Sequence, residues 1–117
     1  MRPGWAAWAG GTAVGVAVVA GLLAGCGRQT SIVQADAARY PTAVHVYENG
    51  CITCHGDNLQ GGIGPSLRHV GSQRSVAQME RLIDNGSGPM PAYRLPGDEI
   101  LTAAQVQAVA EWLATKK

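Results

Sequence analysis

The chain has 117 residues, of which 46% are apolar, and its 9 basic and 8 acidic residues leave a net charge of +1. This length allows one small domain, and the near-zero charge excludes the strongly basic face of a nucleic-acid-binding protein. Phenylalanine is absent and the first 25 residues hold much of the apolar content, so the remainder has few large side chains with which to build a core.

The N-terminal segment is uncharged from residue 3 to residue 27 and is rich in Ala, Gly, Val and Leu. It is typical of a secretory signal, and its end, Leu-Ala-Gly-Cys at 23–26, resembles a bacterial lipobox, in which the cysteine is lipidated after cleavage. We therefore expect a lipoprotein-type signal peptide over 1–25 and a lipid on Cys26. The alternative is an uncleaved transmembrane anchor, since the run exceeds the roughly 20 residues that a span requires. Either reading places the rest of the chain outside the cytoplasm.

Residues 26–40 have no strong hydrophobic period, so we expect a lipid-anchor cysteine followed by a flexible tether. The folded domain is expected over 41–117. Pro41 suits the first turn of a short helix that leads through Tyr47 toward the next cysteines.

Residues 51–55 have the pattern Cys-x-x-Cys-His, which is a c-type haem attachment motif. Two thiols one helical turn apart can each form a thioether with one porphyrin, and the adjacent imidazole of His55 can bind its iron. A thioredoxin-like redox pair would be expected near a strand–helix–strand pattern, which the flanks lack. A structural zinc site would need a second ligand pair, and a disulfide would not require His55. The motif predicts one haem c on Cys51 and Cys54.

Two further helices are predicted from capping residues and apolar periodicity. Ser75 and Gln78 form a capping box at the start of one helix, which Gly86 ends, and Thr102 and Gln105 form another capping box. The apolar positions at helical spacing are Val76, Met79, Leu82 and Ile83 in the first helix and Val106, Val109, Ala110 and Leu113 in the second. No alternating strand pattern is present, so the predicted fold class is all-α.

A six-coordinate haem needs a second ligand opposite His55, and Met90 is the preferred candidate. It lies in Gly-Pro-Met-Pro, a rigid loop rather than a helix, so packing on a helix face does not explain an apolar side chain here. Its thioether is a known haem ligand. Met79 is expected to pack in the core, because it lies on the apolar face of a predicted helix. His45 is expected to face solvent or the partner helix and His69 to lie on the surface, and they remain the alternatives if methionine ligation fails.

Together these residues resemble a class I bacterial cytochrome c of the small, single-haem, membrane-tethered lipoprotein type. The resemblance covers about residues 41–117 and rests on the order and spacing of its motifs. They are Tyr47, the Cys-x-x-Cys-His-Gly run at 51–56, Gly-Ile-Gly-Pro-Ser-Leu at 62–67, Asn85-Gly86 ahead of Met90-Pro91-Ala92, and Val-Ala-Glu-Trp-Leu at 109–113.

The resemblance implies a fold centred on the haem, in which the first and last helices cross with Tyr47 and Trp112 near the contact. It also implies that the carbonyl of Pro65 accepts a hydrogen bond from His55 Nδ1, which would fix the imidazole ring and its basicity. Many relatives have glycine on the first helix where this chain has Ala-Val at 43–44, so we expect a wider or shifted crossing.

Iron bound by an imidazole and a thioether has no open position, which favours a one-electron carrier and predicts no catalytic residue and no small-molecule substrate. The resemblance implies a quinol-oxidising cytochrome complex as donor and a terminal oxidase as acceptor, at the outer face of the bacterial cytoplasmic membrane. Docking should be transient. Because the only lysines are Lys116 and Lys117, at the C-terminus, we expect a shallow salt dependence of electron transfer.

Two other functions remain open from the sequence. One is an electron-entry cytochrome subunit bound permanently to a dehydrogenase or reductase, which would co-purify at fixed stoichiometry. The other is an open-site haem enzyme or gas sensor, which would bind carbon monoxide or peroxide rapidly.

Overall fold

A computed structural model describes residues 10, 11, 25 and 27–117 of the chain. The predicted lipidation site Cys26 and all but three residues of the predicted signal segment lie outside the described residues. Over 27–117 the elements are, in chain order, α1 (Ile32–Asp36), α2 (Pro41–Gly50), α3 (Ile52–His55), α4 (Val70–Gln73), α5 (Val76–Asn85), β1 (Arg94–Leu95), β2 (Asp98–Glu99) and α6 (Ala103–Ala114). No helix in this part of the chain is both long enough and apolar enough to cross a membrane.

Helices α2 and α6 pack against each other at the centre of a largely helical fold, which confirms the predicted fold class. Pro41 occupies the first turn of α2, where its missing N–H would have no helical partner. The rings of Tyr47 and Trp112 are fully buried, with centroids 5.2 Å apart and planes at 74°. This edge-to-face pair is the contact that the resemblance predicted. The side chains at 43–44 are also buried, so the contact forms without glycine there.

Helix α5 is capped as the sequence predicted. Ser75 Oγ accepts a hydrogen bond from the backbone N–H of Gln78, whose side-chain oxygen accepts one from the backbone of Ser75 at 2.8 Å. Met79 and Ile83 are buried, so Met79 does contribute to the core. The helix ends at Gly86, whose φ of +70° suits glycine.

The folded part of the chain begins earlier than predicted, because α1 is docked on the domain. Val33 is buried at 1% exposure, and the backbone N–H of Val33 donates to the Asp57 carbonyl oxygen at 3.3 Å. The carboxylate of Asp36 accepts hydrogen bonds from Trp112 Nε1, at 2.8 Å, and from Lys116 Nζ. The predicted flexible tether over 26–40 is therefore wrong for residues 31–40. A five-residue helix with one buried side chain has no detectable period, and its partners are distant in sequence.

A second difference from the prediction is a short antiparallel ribbon after α5. Arg94 pairs with Glu99 and Leu95 pairs with Asp98, around a turn that contains Gly97 at φ +85°. Two-residue strands are too short to show alternation, so the sequence analysis predicted no strand here.

The docking of α1 predicts an acid-sensitive contribution to stability. Burial by itself would raise the pKa of Asp36, but hydrogen bonds from Lys116 and Trp112, with the charges of Lys116 and Arg39, outweigh it and hold the pKa below its ordinary value of 3.8. A carboxyl group with a lower pKa in the folded state contributes stability that is fully present above its unfolded pKa. That stability is lost as the pH falls through the folded pKa.

Asp36→Asn should therefore lower the melting temperature at neutral pH by about 5 °C, from a loss of about 1 kcal/mol after solvent screening. At acidic pH the deficit should be smaller, because the pH then falls through the lowered folded pKa of Asp36 and the carboxylate of the parent becomes protonated. Thermal unfolding followed by circular dichroism measures both values. Asp98→Asn, at an exposed position in β2, is the matched control. A deficit of equal size at both pH values would contradict this account.

Candidate functional site

Cys51 lies where α2 passes into α3, and Cys54 lies within the single turn of α3. The carbonyl oxygen of Cys51 accepts hydrogen bonds from the N–H groups of Cys54, at 3.2 Å, and His55, at 3.0 Å. Neither Cys51 nor Cys54 forms a disulfide, and both line a cavity of about 290 Å³. Burial, together with the nearby Cys54 sulfur, raises the pKa of the Cys51 thiol to about 11, so this group is protonated at neutral pH in the free polypeptide.

His55 is held at the cavity wall by a hydrogen bond to the loop that follows the motif. Its Nδ1 lies 2.8 Å from the carbonyl oxygen of Pro65, and the residue is 8% exposed. A carbonyl can only accept, so Nδ1 carries the hydrogen and Nε2 of the neutral ring keeps a lone pair for a metal. Gly64 makes room for the ring, because a Cβ there would lie 2.8 Å from Cε1 of His55. The structure therefore contains the contact that the resemblance implied.

Met90 reaches the same cavity from the loop after α5. Ser87 and Met90 exchange backbone hydrogen bonds of 3.1 and 3.0 Å, which close a tight turn. Gly86 is required beside this turn, because a Cβ would meet the Met90 carbonyl oxygen at 2.5 Å. Met90 is partly buried and lines the cavity between Pro89 and Pro91. The fold thus brings two thiols, an imidazole and a thioether, which are 39 residues apart at most, to one cavity.

The other ligand candidates are placed differently. His45 and His69 are exposed, and neither lines the cavity. The Nδ1 atom of His69 lies 2.8 Å from the carbonyl oxygen of Lys117. Met79 does line the cavity, but from the buried face of α5.

Comparison with known proteins identifies the family to which this chain belongs. Residues 38–113 match the family model described as cytochrome c oxidase, cbb3-type, subunit III. Cytochrome c-550 of Bacillus subtilis (strain 168) is 34% identical over 95 residues, which are 81% of this chain and 72% of that protein. Cytochrome c-551 of the same organism is 31% identical over 102 residues, 82% of this chain and 86% of that protein. This chain belongs to the cytochrome c family.

The same family includes larger proteins that this cytochrome c resembles in part. The menaquinol:cytochrome c reductase cytochrome c subunit of Bacillus subtilis (strain 168) is 40% identical over 68 residues, which are 57% of this chain and 24% of that protein.

As a small bacterial cytochrome c, the protein carries covalently bound haem c and transfers electrons. The residues that line the cavity also have the chemical character that a haem requires. Most of its lining is apolar, with Ile63, Leu82, Ile83, Val109 and Leu113 among the lining side chains. An apolar lining suits a porphyrin face, and the donor set of imidazole and thioether suits its iron.

The sequence analysis assigned no part in the site to several lining residues of this cytochrome c, among them Arg74, Ile63 and Tyr93. Arg74, at the end of α4, is the one charged side chain among those that line the cavity, and Ile63 is a lining residue with 77% exposure. Tyr93 lines the cavity three residues after Met90. No sequence pattern indicated that Arg74 belongs to the site, since a single arginine just before a predicted helix is usually a solvent-exposed surface residue.

Proposed function

We propose that this cytochrome c is a one-electron carrier in which Cys51 and Cys54 form thioethers to the haem and His55 and Met90 bind the iron. The observation that carries the proposal is the convergence of these four side chains on one apolar cavity, with the ring of His55 fixed by Pro65. Haem c supplies a one-electron change between ferrous and ferric iron. With His55 and Met90 both bound to the iron, no coordination position would be left for a substrate.

The residues of the chain have distinct parts in this function. Pro65 keeps the hydrogen of His55 on Nδ1, which leaves Nε2 as the electron-pair donor and raises its basicity. Met90 supplies a soft sulfur, which favours ferrous iron and raises the potential relative to a second imidazole. Apolar side chains such as Ile83 and Val109 exclude water from the cavity, so few dipoles must reorient when the charge changes.

Arg74 is the residue suited to a haem propionate. It lines the cavity, and its guanidinium belongs to none of the ion pairs found among residues 27–117. A guanidinium can bind a carboxylate with two parallel hydrogen bonds. Its positive charge would also favour the ferrous over the ferric state.

We further propose that the protein works at the outer face of the bacterial membrane, held by a lipid on Cys26. The docking of α1 shortens the predicted tether, because only residues 27–30 separate Cys26 from Ser31. Four extended residues span at most about 14 Å. The haem domain would then stay close to the bilayer rather than swivel on a long linker.

The proposed donor is a quinol-oxidising cytochrome complex and the proposed acceptor a terminal oxidase. The similarity to a cytochrome c subunit of a menaquinol:cytochrome c reductase supports a place in such a chain. That similarity also favours one alternative, in which this protein is a permanent cytochrome subunit of a reductase. Purification in mild detergent separates the two, since a free carrier leaves the complex and a subunit stays at fixed stoichiometry.

The test of the proposed function is electron transfer by the purified holoprotein. It should accept one electron per molecule from quinol-reduced membranes and be reoxidised by membranes that contain a terminal oxidase. Because the chain from residue 26 onward has balanced charges, both rates should fall less than about threefold between low and physiological salt. Rapid binding of carbon monoxide by the native ferrous protein would instead indicate an open-site haem protein.

A further inference from the structure

Tyr93 joins the loop that carries Met90 to the turn that carries the cysteines. Its hydroxyl donates a hydrogen bond of 2.5 Å to the carbonyl oxygen of Gly50, which is 43 residues away in sequence. Gly50 is the last residue of α2 and immediately precedes Cys51. The contact therefore connects the two sides of the cavity.

The backbone of Tyr93 is fixed independently of its hydroxyl. Its N–H donates to the carbonyl oxygen of Ile83, in the last turn of α5, at 3.0 Å. Its own carbonyl oxygen accepts from the N–H groups of Ile100, at 3.0 Å, and Leu101, at 3.2 Å. A displacement of the loop that moves Tyr93 would therefore have to break these backbone hydrogen bonds as well as the one that its hydroxyl makes.

The ring also packs closely on the backbone of α2. A Cβ added to Gly50 would lie 3.3 Å from Cε1 of Tyr93, which is a tight contact. Because Gly50 has no side chain, the ring of Tyr93 can lie beside the Gly50 carbonyl group to which its hydroxyl donates.

We propose that Tyr93 is a positioning residue that keeps the Met90 sulfur on the iron, by tying the Met90 loop to the cysteine turn. The inference rests on the proposed ligation by Met90. With Cys51 and Cys54 bonded to the haem, the cysteine turn moves with the haem, so the hydroxyl bond to Gly50 holds the loop at a fixed distance from the iron. We call the state with Met90 on the iron closed and the state in which Met90 has left the iron open. Loss of the hydroxyl bond would destabilise the closed state and so raise the fraction of molecules in the open state.

Displacement of Met90 by imidazole in the ferric holoprotein tests this role. The sulfur-to-ferric-iron band at the far-red end of the visible spectrum reports bound methionine, and its loss gives the apparent imidazole affinity. That affinity scales with the open fraction. One lost hydrogen bond should raise it about fivefold, within a range of about two- to tenfold, in Tyr93→Phe.

Tyr40→Phe is the matched control, because Tyr40 precedes α2 and does not line the cavity. Its imidazole affinity should equal that of the parent. A merely structural role of Tyr93 would lower the melting temperature while leaving the affinity, measured well below melting, unchanged. Gly50→Ala gives a second test that keeps the hydroxyl, since the added Cβ would press on the ring, and it should also raise the affinity.

The outcomes distinguish this inference from the proposed function. Parental affinity in both Tyr93→Phe and Gly50→Ala, with the far-red band intact, overturns the role of Tyr93 and leaves ligation by Met90 standing. If the parent has no far-red band and binds imidazole as readily as Met90→Ala does, ligation by Met90 fails, and this inference fails with it.

Discussion

Replacing Met90 by alanine should open the iron and lower the reduction potential by on the order of 0.1 V, within the roughly 0.8 V over which axial ligands set haem potentials. The methyl group of alanine cannot reach the iron, so ferric iron loses the soft ligand that disfavours it relative to the ferrous state. The far-red band should disappear, and carbon monoxide should bind to the ferrous variant without first displacing a protein ligand. Spectroelectrochemistry and rapid mixing measure these effects.

Met79 provides the matched control for Met90, because its side chain also lines the cavity. Met79→Leu conserves volume on the buried face of α5 and should cost less than about 1.5 kcal/mol of stability. It should keep the far-red band and nearly the parental potential. Loss of the band in Met79→Leu and its survival in Met90→Ala would show that the two methionines have been assigned the wrong way round.

Removing both haem thiols, as Cys51→Ala with Cys54→Ala, should leave a chain that no longer folds cooperatively. The cavity of about 290 Å³ would lose the group that fills it, at a cost of up to about 7 kcal/mol by the penalty of roughly 24 cal/mol per Å³. Small domains have a total stability of about 5–15 kcal/mol. The loss is therefore comparable with the whole stability of the domain.

This variant is measured by far-ultraviolet circular dichroism, thermal unfolding and the colour that remains with the protein after extraction with acidified acetone. Cys26→Ala is the cysteine control, which should retain covalent haem and a parental melting curve but lose membrane attachment. A double variant that melts cooperatively near the parental temperature, or that keeps pigment through the extraction, would contradict attachment at Cys51 and Cys54.

Local sequence signals were sufficient for the long helices. The capping boxes of α5 and α6 join residues three apart, so Ser75 with Gln78 and Thr102 with Gln105 could be identified before any fold was known. The buried edge-to-face pair of Tyr47 and Trp112 followed from the family resemblance rather than from periodicity.

Helix α1 and the contact made by Tyr93, which the sequence analysis missed, depend on partners far along the chain. Helix α1 is held by Asp36, whose hydrogen bonds come from Trp112 and Lys116, 76 and 80 residues away. Tyr93 likewise acts on Gly50 across 43 residues. Short-range periodicity and capping rules cannot detect such contacts, because they depend on how helices pack.

The sequence by itself determined the haem c chemistry of this protein and the ligands proposed for its iron, because a Cys-x-x-Cys-His run and a methionine between two prolines are local patterns that specify reactive groups by their spacing. Only the tertiary structure decided how those groups are held. The ring of His55 is oriented by a carbonyl in the next loop, and the Met90 loop is tied to the cysteine turn through Tyr93. The physical reason is that ligand identity is a property of single residues, whereas ligand position is set by hydrogen bonds between segments that meet only after the chain has folded.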